Sequence, residues 1–269
     1  VGVKLRNRKI GLALGSGAAR GLAHIGVLEV LEKEGITIDM LAGSSAGALV
    51  GALYAQGKDI SQIKNLVIDL GSKRFAFLAD PALPKTGLIK GRRIKEVLKS
   101  IIGGDIGFSN LRIPLACVAT DIVTGEEVVI NQGSVLEGVR ASISIPVIFA
   151  VVKWKGRYLV DGGLVNPVPA SVLRDMGADF IIAVNVAPSI SGKLHQVGRE
   201  PNIFNVIMQT IHIAAYQSLK LSLSEADVVI EPQVASIGYF DFHRTQECIL
   251  QGELAAQESI IKIKRQLEA

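Results

Sequence analysis

The stretch Gly43-Ser44-Ser45-Ala46-Gly47 constrains this chain more than any other. An apolar run at residues 38–42, with Asp39 inside it, leads in, and a run of small helix-forming residues, Ala46–Ala55, leads out. Strand, sharp turn and helix with a Ser at the apex is the arrangement of a nucleophile elbow. Glycines on both sides let the chain turn tightly at a strained position and leave room beside the Ser for a substrate and a neighbouring strand. The following helix aims its unpaired N–H groups and positive dipole end at whatever the Ser attacks. A Gly/Ser-rich turn also occurs as plain punctuation between strand and helix, so other stretches have to decide.

The 269 residues are 49% hydrophobic but only 5% aromatic, a mix that suits parallel strands covered by helices on both faces. No repeat, linker or low-complexity tract divides them, so the expectation is one domain over residues 1–269, a motif-bearing core at 9–186 and C-terminal helices at 202–269. A formal charge of +4 favours anionic surfaces, lipid or nucleic acid, without choosing one, and serves solubility equally well. Cys117 and Cys248 stand in no CxxC or metal-ligand spacing and read as reduced packing residues. The basic start precedes a short apolar run broken by Gly11 and Gly15, which reads as neither signal peptide nor membrane span. These features together point to a cytoplasmic protein.

In chain order, Ile10–Leu14 reads as a buried first strand. It opens into Gly15-Ser16-Gly17-Ala18-Ala19-Arg20-Gly21 and then a helix at 22–34. Such a loop exposes consecutive backbone N–H groups, suited to a phosphate or a developing oxyanion. A dinucleotide fingerprint fits poorly, because the spacing after Gly17 is broken and no acidic residue ends the second strand. Helices are expected at 59–70 and 92–102, with an irregular stretch at 71–91 that could lie over the site. The basic residues Arg92, Arg93, Lys95 and Lys99 form either a solvated face or a membrane-facing patch. Strands follow at 113–120 and 126–131, a short helix at 135–141, and two strands flanking a turn at Lys155-Gly156. The second of these runs into Asp161-Gly162-Gly163. An acidic residue at the carboxyl end of a strand is a common address for a catalytic group, and equally for an Asx turn. A helix after Asn166-Pro167, a strand at 180–186, a polar loop at 188–201 carrying His195, and a final strand Val228–Ile230 complete the sheet. Phe204, Met208, Ile211, Ala215 and Leu219 share a helical face that reads as core, with a lipid groove as the alternative. The last helix, at 245–267, is amphipathic.

Three of these stretches, in this order, resemble the patatin-like phospholipases: the loop ending Ala19-Arg20-Gly21, the elbow, and Asp161-Gly162-Gly163. The runs Ala119-Thr120-Asp121, Thr124-Gly125-Glu126 and Arg140-Ala141-Ser142-Ile143-Ser144-Ile145-Pro146 are similar to bacterial members. The resemblance implies a three-layer α/β/α sandwich with a central, mostly parallel sheet. It also implies a lipid acyl hydrolase with Ser45 as nucleophile, Asp161 as base and the amides of Gly17 and Ala18 as oxyanion hole. Gly15, Arg20, Gly21, Gly43, Gly47, Gly162 and Gly163 would support these. It needs no metal or other cofactor. A lipid acyl ester would be the substrate, with peripheral contact to anionic membrane and no nucleic acid. One departure is that Ser16 and Ala18 stand within what is a glycine run in the family. Ala18 fits if its φ is negative; a positive φ would cost it about 1–2 kcal/mol and disturb the hole. Two other readings stay open. A Ser-His-Asp esterase or acyltransferase would need His24, His195, His212 or His243 beside Ser45, and a lipid- or protein-binding module would keep the fold without the chemistry.

Overall fold

The computed structural model describes residues 8–73, 91–187 and 203–268. Its strands are β1 (Ile10–Leu14), β2 (Met40–Ser44), β3 (Leu115–Asp121), β4 (Glu127–Ile130), β5 (Val152–Trp154), β6 (Arg157–Asp161), β7 (Phe180–Val184) and β8 (Val228–Ile230). The helices are α1 (Ala23–Lys33), α2 (Ala46–Ala55), α3 (Ile60–Lys73), α4 (Gly91–Ile102), α5 (Val135–Ser142), α6 (Ala170–Asp175), α7 (Ile203–Ser224) and α8 (Thr245–Glu268). All strands join one sheet. β8, β7, β1, β2 and β3 run parallel in that spatial order, and β4, β5 and β6 are antiparallel additions at the β3 side.

Alternation along the parallel strands sorts the core into two layers, because successive side chains point to opposite faces. Leu12, Leu14, Leu41, Cys117, Ile182 and Val184 face a large layer to which α1–α5 and α8 contribute. Ala13, Ala42, Ala116, Val118, Ile181 and Ala183 face a smaller one with α6 and α7. The result is a three-layer α/β/α sandwich. The second face is lined largely by alanines, which lets α6 approach closely: a Cβ on Gly11 would stand 3.0 Å from that of Ala178 just beyond α6. β4 is different. It buries Val128 and Ile130 and exposes Glu127 and Val129, the pattern of a strand with one wet face.

Several boundaries differ from expectation for identifiable reasons. The second strand shifts from 38–42 to Met40–Ser44, because Gly43 and Ser44 pair with Cys117 and Val118 and carry the ladder up to the elbow. The helix expected at 22–34 divides into a 3-10 turn, Ala18–Leu22, and α1. The turn at Lys155-Gly156 closes a two-residue hairpin with φ of 44° and 82°, the pairing that a right-twisted hairpin requires. The irregular stretch expected at 71–91 is helical at both ends, where α3 runs on to Lys73 and α4 starts at Gly91, and its residues 74–90, the loop at 188–201 with His195, and the side chains of Arg92 and Arg93 lie outside the described residues. No described helix is long and apolar enough to cross a membrane.

The topology places the site through β3. β2 pairs with it over Leu115, Ala116, Cys117 and Val118, β4 over Cys117 to Thr120, and β6 over Ala119, Thr120 and Asp121. A strand has two edges, and β4 overlaps both other partners, so β2 and β6 share the remaining edge and meet end to end. Ser44 opposes Val118 and Asp161 opposes Ala119. The last residues of these two strands, 117 positions apart in sequence, therefore arrive at adjacent rungs.

Candidate active site

Ser45 follows directly on β2 and caps α2 with φ 53° and ψ −119°, a region that a residue with a Cβ occupies only under strain of about 1–3 kcal/mol. The strain thus sits on the serine and not on its flanking glycines, which keep negative or extended φ. Those glycines supply room. A Cβ on Gly47 would fall 2.0 Å from the Leu14 carbonyl oxygen, and one on Gly43 would fall 2.5 Å from the Ala48 nitrogen. Ser45 Oγ donates a hydrogen bond of 2.6 Å to Asp161 Oδ2, and both residues are buried. The Gly163 amide donates to the other carboxylate oxygen at 2.8 Å. Gly162 lies against β3, where a Cβ would fall 2.2 Å from the Val118 carbonyl oxygen. Among the described residues, Asp161 meets only neutral donors. Burial pushes its carboxyl up from the usual 3.8 to about 6, against the downward pull of the Ser45 and Gly163 hydrogen bonds.

The glycine-rich loop sits beside this pair, and its amides divide into two sets. Gly15 N–H donates to the Val184 carbonyl at 3.1 Å, Ser16 to Pro167 at 2.8 Å, Ala19 to Tyr239 at 3.0 Å and Arg20 to Gly17 at 3.1 Å. The N–H groups of Gly17 and Ala18 have no partner among the described residues, and both residues line the same cleft as Ser45. Ala18 has φ 49°, so the condition of a negative φ is not met. The loop imposes the left-handed turn on a residue with a Cβ, and the fold carries the cost. Gly17 itself is extended, and its lack of a side chain makes room for Val186, 2.5 Å from where a Cβ would be. Gly21 does the same against Ala46, at 2.4 Å, seating the loop on the first turn of α2. The Ser45 carbonyl accepts from Ala48 and Leu49, the start of the helical ladder. Arg20 is a buried strut outside the cleft: its Nε donates to the Ile237 carbonyl at 2.6 Å and its guanidinium stacks over the Tyr239 ring.

The cleft is walled by Ile145, Ala187, Met208, Ile211, His212 and Tyr239. α7 is therefore both core and groove. Ala215 is buried and Leu219 packs in the smaller sheet layer, whereas Met208 and Ile211 pack with Ile145 and Ile148 along the cleft. The histidines divide. His24 is buried and its Nε2–H donates to the Gly15 carbonyl at 2.8 Å, pinning the loop; burial pushes its pKa down to about 4, against the opposing effect of that carbonyl. His212 lines the cleft, and His243 is exposed.

A polar network behind the pair carried little signal in the sequence. The Ser142 hydroxyl accepts from the Ser45 amide at 2.9 Å, and the Ser144 carbonyl accepts from the Asp161 amide at 2.9 Å. Thr120 Oγ1 donates to the Asp161 carbonyl at 2.8 Å, and Ser44 Oγ to the Asn166 carbonyl at 2.6 Å. The Asn166 amide nitrogen reaches Glu127 and Ser171, and its oxygen accepts from Ser222 on α7. Arg140, buried beneath, donates to Ser144 and to the Ala150 carbonyl. The available hint was serines interrupting the apolar run at 142–146.

The sequence pattern of the patatin-like phospholipase family matches residues 12–174, more than half of the chain. An uncharacterized NTE family protein of Mycobacterium tuberculosis is 36% identical over 195 residues, covering 72% of this chain and 53% of the relative. The neuropathy target esterase of Drosophila melanogaster is 35% identical over 187 residues, covering 68% of this chain and 13% of the relative. The chain thus spans about half the length of the mycobacterial relative and a small part of the insect one. Among solved structures, VipD from Legionella pneumophila superposes with a TM-score of 0.53 over 95% of this chain and 67% of its own, at 15% identity, a likeness of fold alone. The loop, elbow and Asp-Gly-Gly turn lie within the matched segment and converge on one cleft: the chain belongs to the patatin-like phospholipase family.

Proposed function

We propose that the protein is a serine lipid acyl hydrolase that cleaves acyl esters of phospholipids or lysophospholipids with a Ser45–Asp161 dyad. The observation that carries this reading is the 2.6 Å hydrogen bond between Ser45 Oγ and a carboxylate whose pKa burial raises to about 6. A serine hydroxyl becomes nucleophilic when a base takes its proton, and an ordinary Asp is too weak a base to do so efficiently. A base poised near 6 is ionised at neutral pH and still binds the proton in the transition state. In acylation, Ser45 Oγ attacks the ester carbonyl while its proton passes to Asp161 Oδ2. The tetrahedral oxyanion takes hydrogen bonds from the Gly17 and Ala18 amides, each worth about 3 kcal/mol by analogy with other oxyanion donors. Asp161 then returns the proton to the leaving alkoxide. Deacylation repeats the steps with water as nucleophile.

The apolar wall of Ile145, Met208 and Ile211 suits an acyl chain. Membership of a phospholipase family, and relatives that include a protein named lysophospholipase, support a lipid substrate. Of the four histidines proposed as an alternative base, His24 is committed to the Gly15 carbonyl and His243 is exposed, which favours the dyad over a triad. A fluorophosphonate probe tests the assignment. It should label the wild-type chain at Ser45 and leave Ser45→Ala unlabelled, with parallel loss of phospholipid and short-chain ester hydrolysis. Labelling at another residue, or hydrolysis surviving in Ser45→Ala, would remove it.

A further inference from the structure

We propose that Ser142, at the end of α5, is a positioning residue for the reaction: its hydroxyl fixes the Ser45 backbone so that Ser45 Oγ stays on Asp161. The proposal deepens the dyad reading and rests on it. It assigns the geometry of the elbow to a segment that contributes no reacting group of its own.

At φ 53° and ψ −119° Ser45 is strained, and turning the peptide between Ser44 and Ser45 is the simplest way to relax it. That turn would carry Oγ away from Asp161. The register of β2 on β3 ends at Ser44, opposite Val118, and leaves the next amide outside the ladder. The Ser142 hydroxyl holds that amide instead, accepting from it at 2.9 Å across 97 positions of sequence. Ser142 is fully buried, so bulk water cannot take over the role. Among the described residues, no other side chain bonds the Ser45 backbone.

The neighbouring serine supplies the contrast. Ser144 returns its hydroxyl to the Arg140 carbonyl four residues back, at 2.7 Å, the common local use of a serine near a helix. The Ser144 carbonyl accepts from the Asp161 amide at 2.9 Å. Ser142 and Ser144 thus grip the two members of the dyad, one by side chain and one by backbone, and the 2.6 Å bond from Ser45 to Asp161 closes the ring. Arg140 anchors the segment: buried, it donates to Ser144 Oγ and, at 2.8 Å, to the Ala150 carbonyl. The two grips are unequal. Asp161 also pairs with Ala119 in the sheet, and its carbonyl accepts from Thr120 Oγ1 at 2.8 Å. Ser45 has left its strand and depends on Ser142. Removing the Ser142 hydroxyl should therefore free the serine and leave the aspartate in place.

Steady-state hydrolysis of a dissolved short-chain ester, followed across pH in folded variants, tests this. Ser142→Ala should lower kcat about 10- to 100-fold with KM within about twofold, since what is lost is the approach of Ser45 to its base. Its pH inflection should also move above the wild-type value near 6, because the Ser45 hydrogen bond that pulls the Asp161 carboxyl down is weakened. Ser142→Thr keeps the acceptor and should recover the wild-type inflection, with kcat within about threefold. Ser142→Cys, near serine in size but a weaker acceptor, should fall between wild type and Ser142→Ala, and it decides the matter if the alanine variant does not fold. A Ser142→Ala or Ser142→Cys enzyme that melts lower yet keeps the wild-type kcat and inflection would overturn the proposal, since the hydroxyl would then serve the fold alone. Equal loss in a folded Ser142→Thr would overturn it too. Fluorophosphonate labelling separates this from the dyad itself. Normal labelling of Ser45 in wild type beside an unaffected Ser142→Ala sinks the positioning role alone, whereas a wild type unlabelled at Ser45 sinks the dyad and this role with it.

Discussion

At the carboxyl end of the sheet, Asp161 is buried among neutral donors; between α1, α3 and α8, Glu29 is held by cations. Lys33 approaches Glu29 at 2.8 Å, Lys64 bonds its other oxygen, and Lys64 also reaches Glu253 at 2.8 Å. Desolvation raises both carboxyl pKa values. At Glu29 the Lys33 and Lys64 hydrogen bonds outweigh it and hold the group well below the usual carboxylate range, whereas at Asp161 no cation among the described residues answers it. The same functional group is thus made inert and stabilising in one place, reactive and costly in the other. What differs is the charge of the donors.

Exchanging each acid for its amide breaks the comparison most sharply. Asp161→Asn should lower kcat/KM for an ester by about 10³-fold or more, because Asn keeps the shape and cannot take the proton. Glu29→Gln should leave turnover within about twofold and cost about 1 kcal/mol of stability in a denaturant titration. Asp161→Asn should do the reverse to stability. A carboxyl whose folded pKa is raised binds a proton that the unfolded chain releases, so stability falls as pH climbs from about 4 to about 6 and stays lowered above. Removing that ionisation should stabilise the protein at pH 8 by up to about 3 kcal/mol, with the gain vanishing near pH 4.

The two sites should also separate along pH. Ester hydrolysis should fall about tenfold per unit below pH 6 and level off above it, following ionised Asp161. The contribution of Glu29 runs the other way from that of Asp161: it is complete above the ordinary carboxylate pKa and is lost only as pH falls toward its depressed folded value. A wild-type rate profile flat between pH 5 and pH 8 would remove the raised carboxyl from the chemistry.

The smallest expected effect concerns Ala18. Glycine there should relieve the cost of φ 49° and stabilise the fold by at most about 1 kcal/mol, partly offset by the added freedom of the unfolded chain. Hydrolysis should change by less than about threefold, since the oxyanion donors are backbone groups. A large loss of activity in Ala18→Gly, with folding intact, would mean that the methyl group itself holds the loop.

What was legible in the sequence follows from what local geometry demands. The elbow, the loop and the Asp-Gly-Gly turn announce themselves because close backbone approach excludes side chains at Gly47, Gly21 and Gly162. The parallel strands were visible as short apolar runs, and the hairpin turn as Lys155-Gly156. The end-to-end meeting of β2 and β6 on β3 was not, because it depends on register between segments far apart in the chain. Thr120 and Ser142 stood in runs that the family resemblance singles out, but their roles, and that of Asn166, stayed hidden because each depends on a hydrogen-bond partner far along the chain. The sign of φ at Ala18 was equally hidden, since it depends on how the loop is seated, with Val186 against Gly17 and Ala46 against Gly21.

The central claim is that Asp161 by itself activates Ser45. The rate of covalent labelling of Ser45 by a fluorophosphonate, followed against pH, measures that activation without any need for the natural substrate. The account predicts an inflection near pH 6 in wild type and near-complete loss of labelling in Asp161→Asn. It predicts the wild-type profile, within about threefold, in single Gln replacements of His24, His195, His212 and His243 that keep an unchanged melting curve. Labelling that survives in Asp161→Asn but disappears in a folded histidine variant, His212→Gln above all because that residue lines the cleft, would contradict it.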